Sequence, residues 1–599
     1  MNNKNMENYR NLYEQWCTDK VFDDDTRAEL ESITDEREIK DRFYKQLNFG
    51  TGGLRGIMGA GINRMNKYTV GKASQGLAEY INSTVQCGSV VIAYDSRNLS
   101  WDFARESALV FCANGIKTYL FSTLHSTPQL SFAVRYLHAS AGVVITASHN
   151  SSQYNGYKVY QSDGCQIVPP FDKAIMERIN NIVDYSKIKR MTEQMAMSSG
   201  LLNYIGDEID DAYISELKKL VINPQAIARC AKDLKIVYTP LNGTGLVPVC
   251  RILKELGFAN VYVVREQEQP NGNFPTVVYP NPEDKRAFDL ALALAREVHA
   301  DVVLATDPDA DRLGVYVFDK VSGEYKALSG NMSGLLIAEY ELSQKQAKGL
   351  LPHERTNGAI VTTVVSSNMV YDIAKEYGLT VIEVLTGFKY IGDKINQFER
   401  AVQDNGNKYD AKKGAYEYLF GLEESYGCLF GTYARDKDGV AAAMAVCEAA
   451  AYYKMQGLSL WDQMLRMYEK YGYYLEGAHS IEVAGADGAK KTQRILSYLR
   501  KSPITEIGGL SVIAVHDYSV GTCTDMRKNA VGKIDLPKSD VIYYELENNA
   551  WCCVRPSGTE PKFKIYFGVK GETMTQAHNL LDRVRFSILE IIQTTEKTV

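Results

Sequence analysis

The chain has 599 residues, 45% of them hydrophobic and 23% charged, with a formal charge of −6. That length exceeds what one hydrophobic core supports and implies roughly three to five domains. The weak charge argues against a polyanion such as nucleic acid as partner, the ordinary composition against a disordered or fibrous chain, and the lack of any apolar run near ~20 residues against a membrane span.

The opening "MNNKNMENYRNLYEQW" is polar from its first residue and has no apolar core of a signal peptide. The eleven cysteines are scattered, with no CxxC pair and one adjacent couple, Cys552 and Cys553. Both features lead us to expect a cytoplasmic protein with reduced thiols.

A charged helical lead-in to about residue 45 precedes an alternation of β-branched runs and helical patterns, the rhythm of α/β layers. "SVVIAYDSR" reads as a strand then a loop, and "WDFARESALVFCANG" as a helix stopped by Gly115. "KTYLFS" reads as a strand, "TPQLSFAVRYLHA" as a helix with Pro128 in its first turn, and "GVVITA" as a buried strand. The same order recurs from "LKIVYTP" to "DVVLAT", and again from "GAIVTTVV" to "YEYLFGL". Each pass ends in a strand that opens into a polar loop, at Ser148, Asp307 and Glu423, and open α/β sheets bind ligands beyond such strand ends. From about residue 480 a hairpin-like run, "DVIYYELENNAWCCVRPSGTEPKFKIYFGV", flanked by helical segments, signals a domain of different topology. We expect an α/β protein of four domains, at residues 1–205, 206–325, 326–478 and 479–599.

Four loops carry chemistry. In "TDPDADR", Asp307, Asp309 and Asp311 crowd three carboxylates that repel unless a cation joins them, and hard oxygen donors without Cys or His point to Mg²⁺. An EF-hand is excluded, since its glycine position is Arg312 and its bidentate glutamate position is Phe318. In "RPSGTEPK", the hydroxyls of Ser557 and Thr559, the Arg555 guanidinium and successive backbone N–H groups including that of Gly558 make a phosphate nest, a simple Pro-Gly turn being the alternative. "GLEESYG" offers Glu423, Glu424 and Ser425 as acceptors for vicinal sugar hydroxyls, an exposed acidic turn being the reading of this loop taken alone. Finally "TASHN" lacks the GxSxG context of a serine hydrolase, so Ser148 beside a metal cluster and a phosphate nest reads as a phosphoryl carrier.

"TASHNSSQYNGYK", "DPDADR", "GLEESYG" and "RPSGTEPK", with "FGTGGLRG", "FPTVVYPNPE" and "TGFKYIG", together resemble the α-D-phosphohexomutase superfamily over nearly the whole chain. The resemblance is to its longer branch of phosphoglucomutases, phosphopentomutases and sugar-bisphosphate synthases. It implies a heart-shaped monomer of three related α/β mixed-sheet domains and a distinct C-terminal α+β domain. By position, Ser148 resembles the phosphorylated serine, and Asp307, Asp309 and Asp311 the Mg²⁺ ligands, with a phosphate oxygen on Ser148 as a further ligand. Glu423 and Ser425 resemble sugar readers, and Arg555, Ser557, Gly558 and Thr559 the clamp on the non-reacting phosphate. Arg55, His149, Lys158 and Lys389 resemble residues placed near the transferring group, with Arg312 beside the phosphoserine.

The implied reaction interconverts glucose 1-phosphate and glucose 6-phosphate through glucose 1,6-bisphosphate, with Mg²⁺ bound and Lys158 as base, a role that requires its pKa to be lowered. Phosphopentose, phosphomannose and net bisphosphate synthesis are alternatives within the same chemistry. An inactive sugar-phosphate binding protein and a phosphatase are alternatives outside it. Small sugar phosphates are the expected partners.

Overall fold

The structure, a computed structural model, describes residues 2–47, 53–482, 485–502, 504–557 and 562–598. Two compact units emerge. The first comprises Met1–Phe318, Gly392–Asn396 and Gly427–Met455, and the second Asp319–Ile391, Gln397–Tyr426 and Gln456–Val599.

In the first unit the lead-in forms three helices, Asn2–Thr18, Asp24–Glu31 and Glu36–Phe43, the latter two capped by the Asp23 and Asp35 carboxylates. Trp16 stacks on Phe22 with centroids 4.1 Å apart and meets Phe43, Tyr68 and Tyr185 edge-on, which plugs the lead-in against the first α/β layer. That layer has a sheet ordered Gly53–Ile57, Tyr154–Gln161, Ala141–Ile145, Ser89–Tyr94, Lys117–Phe121, Leu202–Ile205. Its first two junctions are antiparallel and the rest parallel. Strand Ser89–Tyr94, apolar from Val90 to Ala93, and the fully apolar Ala141–Ile145 sit in the parallel part, where helices cover both faces. Helix Lys67–Thr84 starts at an Asn66/Thr69 capping box, and helix Thr127–Tyr136 at a Ser126/Gln129 box with Pro128 in its first turn.

The second layer repeats the plan. Lys235–Thr239 runs parallel to Asn260–Val263 and to the fully buried Val302–Thr306, which then pairs antiparallel with the return strand Leu313–Asp319. Both layers therefore place a loop between a buried strand and its antiparallel return, residues 146–153 in one and 307–312 in the other. The periodicity of the sequence locates the buried strands, whereas the two return strands, Tyr154–Gln161 with Lys158 and Leu313–Asp319, are not among the elements read from it.

In the second unit, Thr380–Val384, Gly358–Thr363 and Glu417–Glu423 form the parallel part of a third sheet. The C-terminal sheet is antiparallel and ordered Tyr473–Glu482, Lys562–Gly571, Trp551–Pro556, Ile542–Leu546, Leu510–Asp517, Thr522–Asp525, Ala530–Lys533. It is larger than the hairpin legible in the sequence, and Tyr473–Glu482 pairs with Lys562–Gly571 along its whole length, across the expected boundary at 478/479. Alternation decides its two faces. Cys552 and Val554 join the core beneath helices Gly485–Lys501 and Met574–Thr598, whereas Trp551 and Cys553 face Val364, Val365 and Leu385 of the parallel layer. The adjacent cysteines thus point to opposite faces, and both are free thiols.

The 307–312 loop is braced by a close backbone approach. A Cβ on Gly243 would meet Pro308 Cα at 2.4 Å, and Pro308 O accepts from Thr244 N at 2.8 Å and Thr244 Oγ1 at 2.9 Å. Gly243→Ala is expected to destabilise the protein by about 1–3 kcal/mol, the range for overpacking, read as a lower midpoint in urea denaturation.

Candidate active site

The serine loop begins where Ala141–Ile145 ends. Ser148 is buried and adopts φ 51°, a left-handed conformation that a serine holds only under constraint. Its N–H donates to Thr146 Oγ1 at 2.8 Å, and the Thr146 hydroxyl donates to Asp95 Oδ2 at 2.7 Å. Its own Oγ donates to Asp307 Oδ2 at 2.7 Å and lies 3.2 Å from His149 Nδ1. Adjacency in sequence therefore does bring His149 to the serine oxygen. Arg55, on the strand paired with Tyr154–Gln161, donates to Asn150 Oδ1 at 2.8 Å, and Gly156 between them lets Thr146 O approach within 2.4 Å of where a Cβ would stand.

The carboxylate triad closes on the same point. Asp307, Asp309 and Asp311 are buried and each turns a ligand oxygen to within 4.8 Å of the others. Lys158 Nζ donates to Asp309 Oδ2 at 2.7 Å and Asp311 Oδ2 at 3.2 Å, and Lys437 Nζ sits 2.9 Å from Asp311 Oδ2. Thr127 Oγ1 donates to Asp309 Oδ2 at 2.8 Å, and Arg312 Nε stands 3.8 Å from Asp307 Oδ2 and Asp311 Oδ1. Burial and the charges of Asp309 and Asp311 push the Asp307 carboxyl well above its ordinary range. Burial acts the same way on Asp309 and Asp311, but Lys158 overcomes it at the first and Lys437 with Lys158 at the second, leaving both below their ordinary values. Lys158 is likewise raised, because Asp309 and Asp311 outweigh the burial that opposes its charge. The lowered pKa expected of a lysine base is not what this arrangement gives.

Even so, Asp309 Oδ1 and Asp311 Oδ1 are buried without a hydrogen-bond partner. Bare buried carboxylate oxygens, in an all-oxygen donor set, fit a hard divalent cation such as Mg²⁺.

The second unit holds the other loops. Glu423 is buried at the end of Glu417–Glu423, and Ser425 Oγ donates to its Oε1 at 2.8 Å. Thr363 Oγ1 donates to Glu424 Oε2 at 3.2 Å. Gly330, first residue of helix Gly330–Ala347, presses on this loop so closely that a Cβ would lie 2.1 Å from Glu424 O. Arg555 stands directly across the ladder from Lys564, and its buried Nη1 has no hydrogen-bond partner. Ser557 N closes the turn onto Lys562 O at 2.7 Å, while Gly558 and Thr559 lie outside the described residues. Lys389 is buried in the first turn of helix Phe388–Asp404, its ammonium 5.2 Å from the Tyr390 ring centroid.

The family described as phosphoglucomutase/phosphomannomutase matches in three parts, its α/β/α domain I over residues 46–186, domain II over 211–320 and domain III over 329–471. A phosphoglucomutase of Staphylococcus saprophyticus is 36% identical over 541 residues, 90% of this chain and 94% of that protein. The chain belongs to the phosphoglucomutase/phosphomannomutase family, within the α-D-phosphohexomutase superfamily. A Staphylococcus aureus phosphoglucomutase is also 36% identical, over 89% of this chain and 91% of its own. The fold is shared with pp63/parafusin, a phosphoglucomutase of Paramecium, at TM-score 0.63 and 17% identity over 92% of this chain and 96% of that one. It is shared too with a phosphoglucomutase/phosphomannomutase family protein of Burkholderia thailandensis, at TM-score 0.62 and 17% identity over 92% and 97%. Three mixed-sheet α/β domains and a C-terminal antiparallel-sheet domain are the architecture of the family, as expected from the three-pass rhythm of the sequence.

Sequence reasoning missed Asp95, Arg97, Thr127 and Lys437, which this phosphohexomutase chain brings to the serine and the triad. A signal existed for Asp95 and Arg97, since "DSR" follows an apolar strand as directly as "DPDADR" does. Lys437, in "RDKDG" ahead of the apolar helix Gly439–Met455, has no local signature of a site residue.

Burial and the Glu423 charge push the Glu424 carboxyl up to about 7, against the pull of Arg555 and Lys564. The native group keeps its proton to that pH whereas the unfolded one releases it near 4.5, so its contribution to stability falls as pH rises through this window. Glu424→Gln is expected to gain thermal stability relative to the parent between pH 5 and pH 8 and to match it near pH 4.5, as followed by Tm at each pH.

Proposed function

We propose that the protein is a phosphoglucomutase that interconverts glucose 1-phosphate and glucose 6-phosphate through a phosphorylated Ser148 and glucose 1,6-bisphosphate. The observation that carries this reading is Ser148 Oγ, 2.7 Å from Asp307 Oδ2 at a buried carboxylate triad, in a chain 36% identical to phosphoglucomutases.

In the transfer the Oγ–P bond of phosphoserine breaks and a P–O bond to the free sugar hydroxyl forms. The hydroxyl proton is, in balance, the one that ends on Ser148 Oγ, and His149 Nδ1 at 3.2 Å is placed to exchange it. Lys158, kept charged by Asp309 and Asp311, neutralises developing negative charge, and Arg312, 3.8 Å from Asp307 Oδ2, acts beside the phosphoserine. Asp307, Asp309 and Asp311 would hold Mg²⁺, which when bound stabilises charge on the transferring phosphoryl group. Glu423 and Ser425 read the sugar hydroxyls, and Arg555, Ser557, Gly558 and Thr559 grip the non-reacting phosphate. Lys389 and Arg55 complete the set, within a four-part division at 205/206, 325/326 and a third boundary moved from 478/479 to ahead of strand Tyr473–Glu482.

Incubation with ³²P-labelled glucose 1,6-bisphosphate and a panel of hexose and pentose 1-phosphates tests the reading. Label is expected on wild-type protein and on glucose 6-phosphate but not on Ser148→Ala, which should turn over below about a hundredth of the wild-type rate. Label released as inorganic phosphate would mean a phosphatase, and full activity of Ser148→Ala would end the phosphoserine mechanism.

The Arg555 loop allows a separate check. Arg555→Ala removes a charge-assisted contact and is expected to lower kcat/KM about ten- to a hundredfold. Ser148 should still be found phosphorylated by mass spectrometry, and turnover should depend more steeply on added bisphosphate.

A further inference from the structure

The serine loop is held from behind by a group with no part in the chemistry above. Arg97 is buried, and its two terminal nitrogens place all four of their hydrogens on loop carbonyls. Nη2 donates to Ser148 O and Asn150 O, each at 2.5 Å, and Nη1 donates to Ser151 O at 2.8 Å and Tyr154 O at 3.0 Å. Its Nε stands 3.3 Å from Asp95 Oδ2, and the guanidinium lies 5.0 Å from the centroid of the Phe274 ring.

Asp95 is itself fixed. Its Oδ1 accepts from Arg97 N at 2.9 Å and Ser100 Oγ at 2.7 Å, and its Oδ2 accepts from the Thr146 hydroxyl that in turn receives Ser148 N–H. Both polar groups of the Ser148 backbone are thereby tied to one buried ion pair, Ser148 O directly to Arg97 and Ser148 N through Thr146 to Asp95. Between those two anchors the residue holds its left-handed φ of 51°, and that backbone aims Oγ at Asp307.

We infer that Arg97, with Asp95, is a positioning residue that imposes the strained backbone of Ser148 and so sets where the phosphoryl group is carried. The inference rests on the proposed phosphoserine mechanism. A planar fork makes four bonds that the three donors of a lysine cannot reproduce, so Arg97→Lys keeps the charge and loses the geometry.

The test compares wild type, Arg97→Lys and Thr146→Val in steady-state kinetics and in phosphorylation of Ser148 by glucose 1,6-bisphosphate, followed by intact mass. Wild-type phosphorylation at Ser148 verifies the underlying mechanism, and its absence would overturn that mechanism separately. Given it, Arg97→Lys is expected to lower kcat and the phosphorylation rate about a hundredfold, the effect of a misplacement near 1 Å. KM should stay within about threefold, because the groups proposed to grip the substrate are untouched. Should Arg97→Lys fail to fold by circular dichroism, Thr146→Val decides, since it leaves the ion pair in place and cuts only the tie to Ser148 N. A folded variant with wild-type kcat, or one whose loss lies wholly in KM, overturns the inference.

Discussion

Three carboxylates from one five-residue loop are buried together, and a buried charge without compensation costs several kcal/mol. The first unit is arranged around that constraint. Asp309 and Asp311 belong to the second α/β layer, yet Lys158 reaches them from the return strand of the first layer and Lys437 from the segment before helix Gly439–Met455. Thr127, opening a helix of the first layer, donates its hydroxyl to Asp309 Oδ2 and its N–H to Asp309 O. The charges of the site therefore also dock the layers onto one another, so the electrostatics of the triad and the docking cannot be changed independently.

The same logic governs the serine. A strand end delivers Ser148 to the triad, but a loop of small polar residues has no packing of its own to hold an unfavourable φ. A fully buried ion pair, Asp95 and Arg97, supplies what packing does not, because its fixed geometry dictates where backbone groups must lie. Asp309 Oδ1 and Asp311 Oδ1 stay bare while both oxygens of Asp95 are satisfied, so the triad and the ion pair that holds the serine loop differ in what they leave open.

In the second unit the balance is set differently. Arg555 and Lys564 face each other across a ladder, and like charges so placed are unfavourable unless an anion answers them. Both draw the Glu424 carboxyl toward ionisation, against the burial and the Glu423 charge that push it up to about 7. The aromatic wall of Trp551, Tyr566 and Tyr518 against Val364 and Leu385 holds the antiparallel sheet on the parallel layer that carries Glu423. The Glu423 loop and the strand that carries Arg555 are thus built on one packed body.

Local pattern determined much of this on its own. Apolar runs with a turn after them located Ala141–Ile145, Val302–Thr306 and Glu417–Glu423, because strand burial is a property of consecutive side chains. Ser148, the three aspartates and Arg555 were legible for the same reason, each being an unusual polar cluster beside such a run. The partners of those residues were not. Lys158, singled out only through the resemblance, is separated from Asp309 by 151 positions, Thr127 from Asp309 by 182, and nothing local at Thr127 or Lys437 distinguishes them from surface residues. Which cation met which carboxylate, and hence that Lys158 is held charged where its role as a base asked for a lowered pKa, was decided only when the layers packed, since Coulomb energy depends on distance in space and not along the chain.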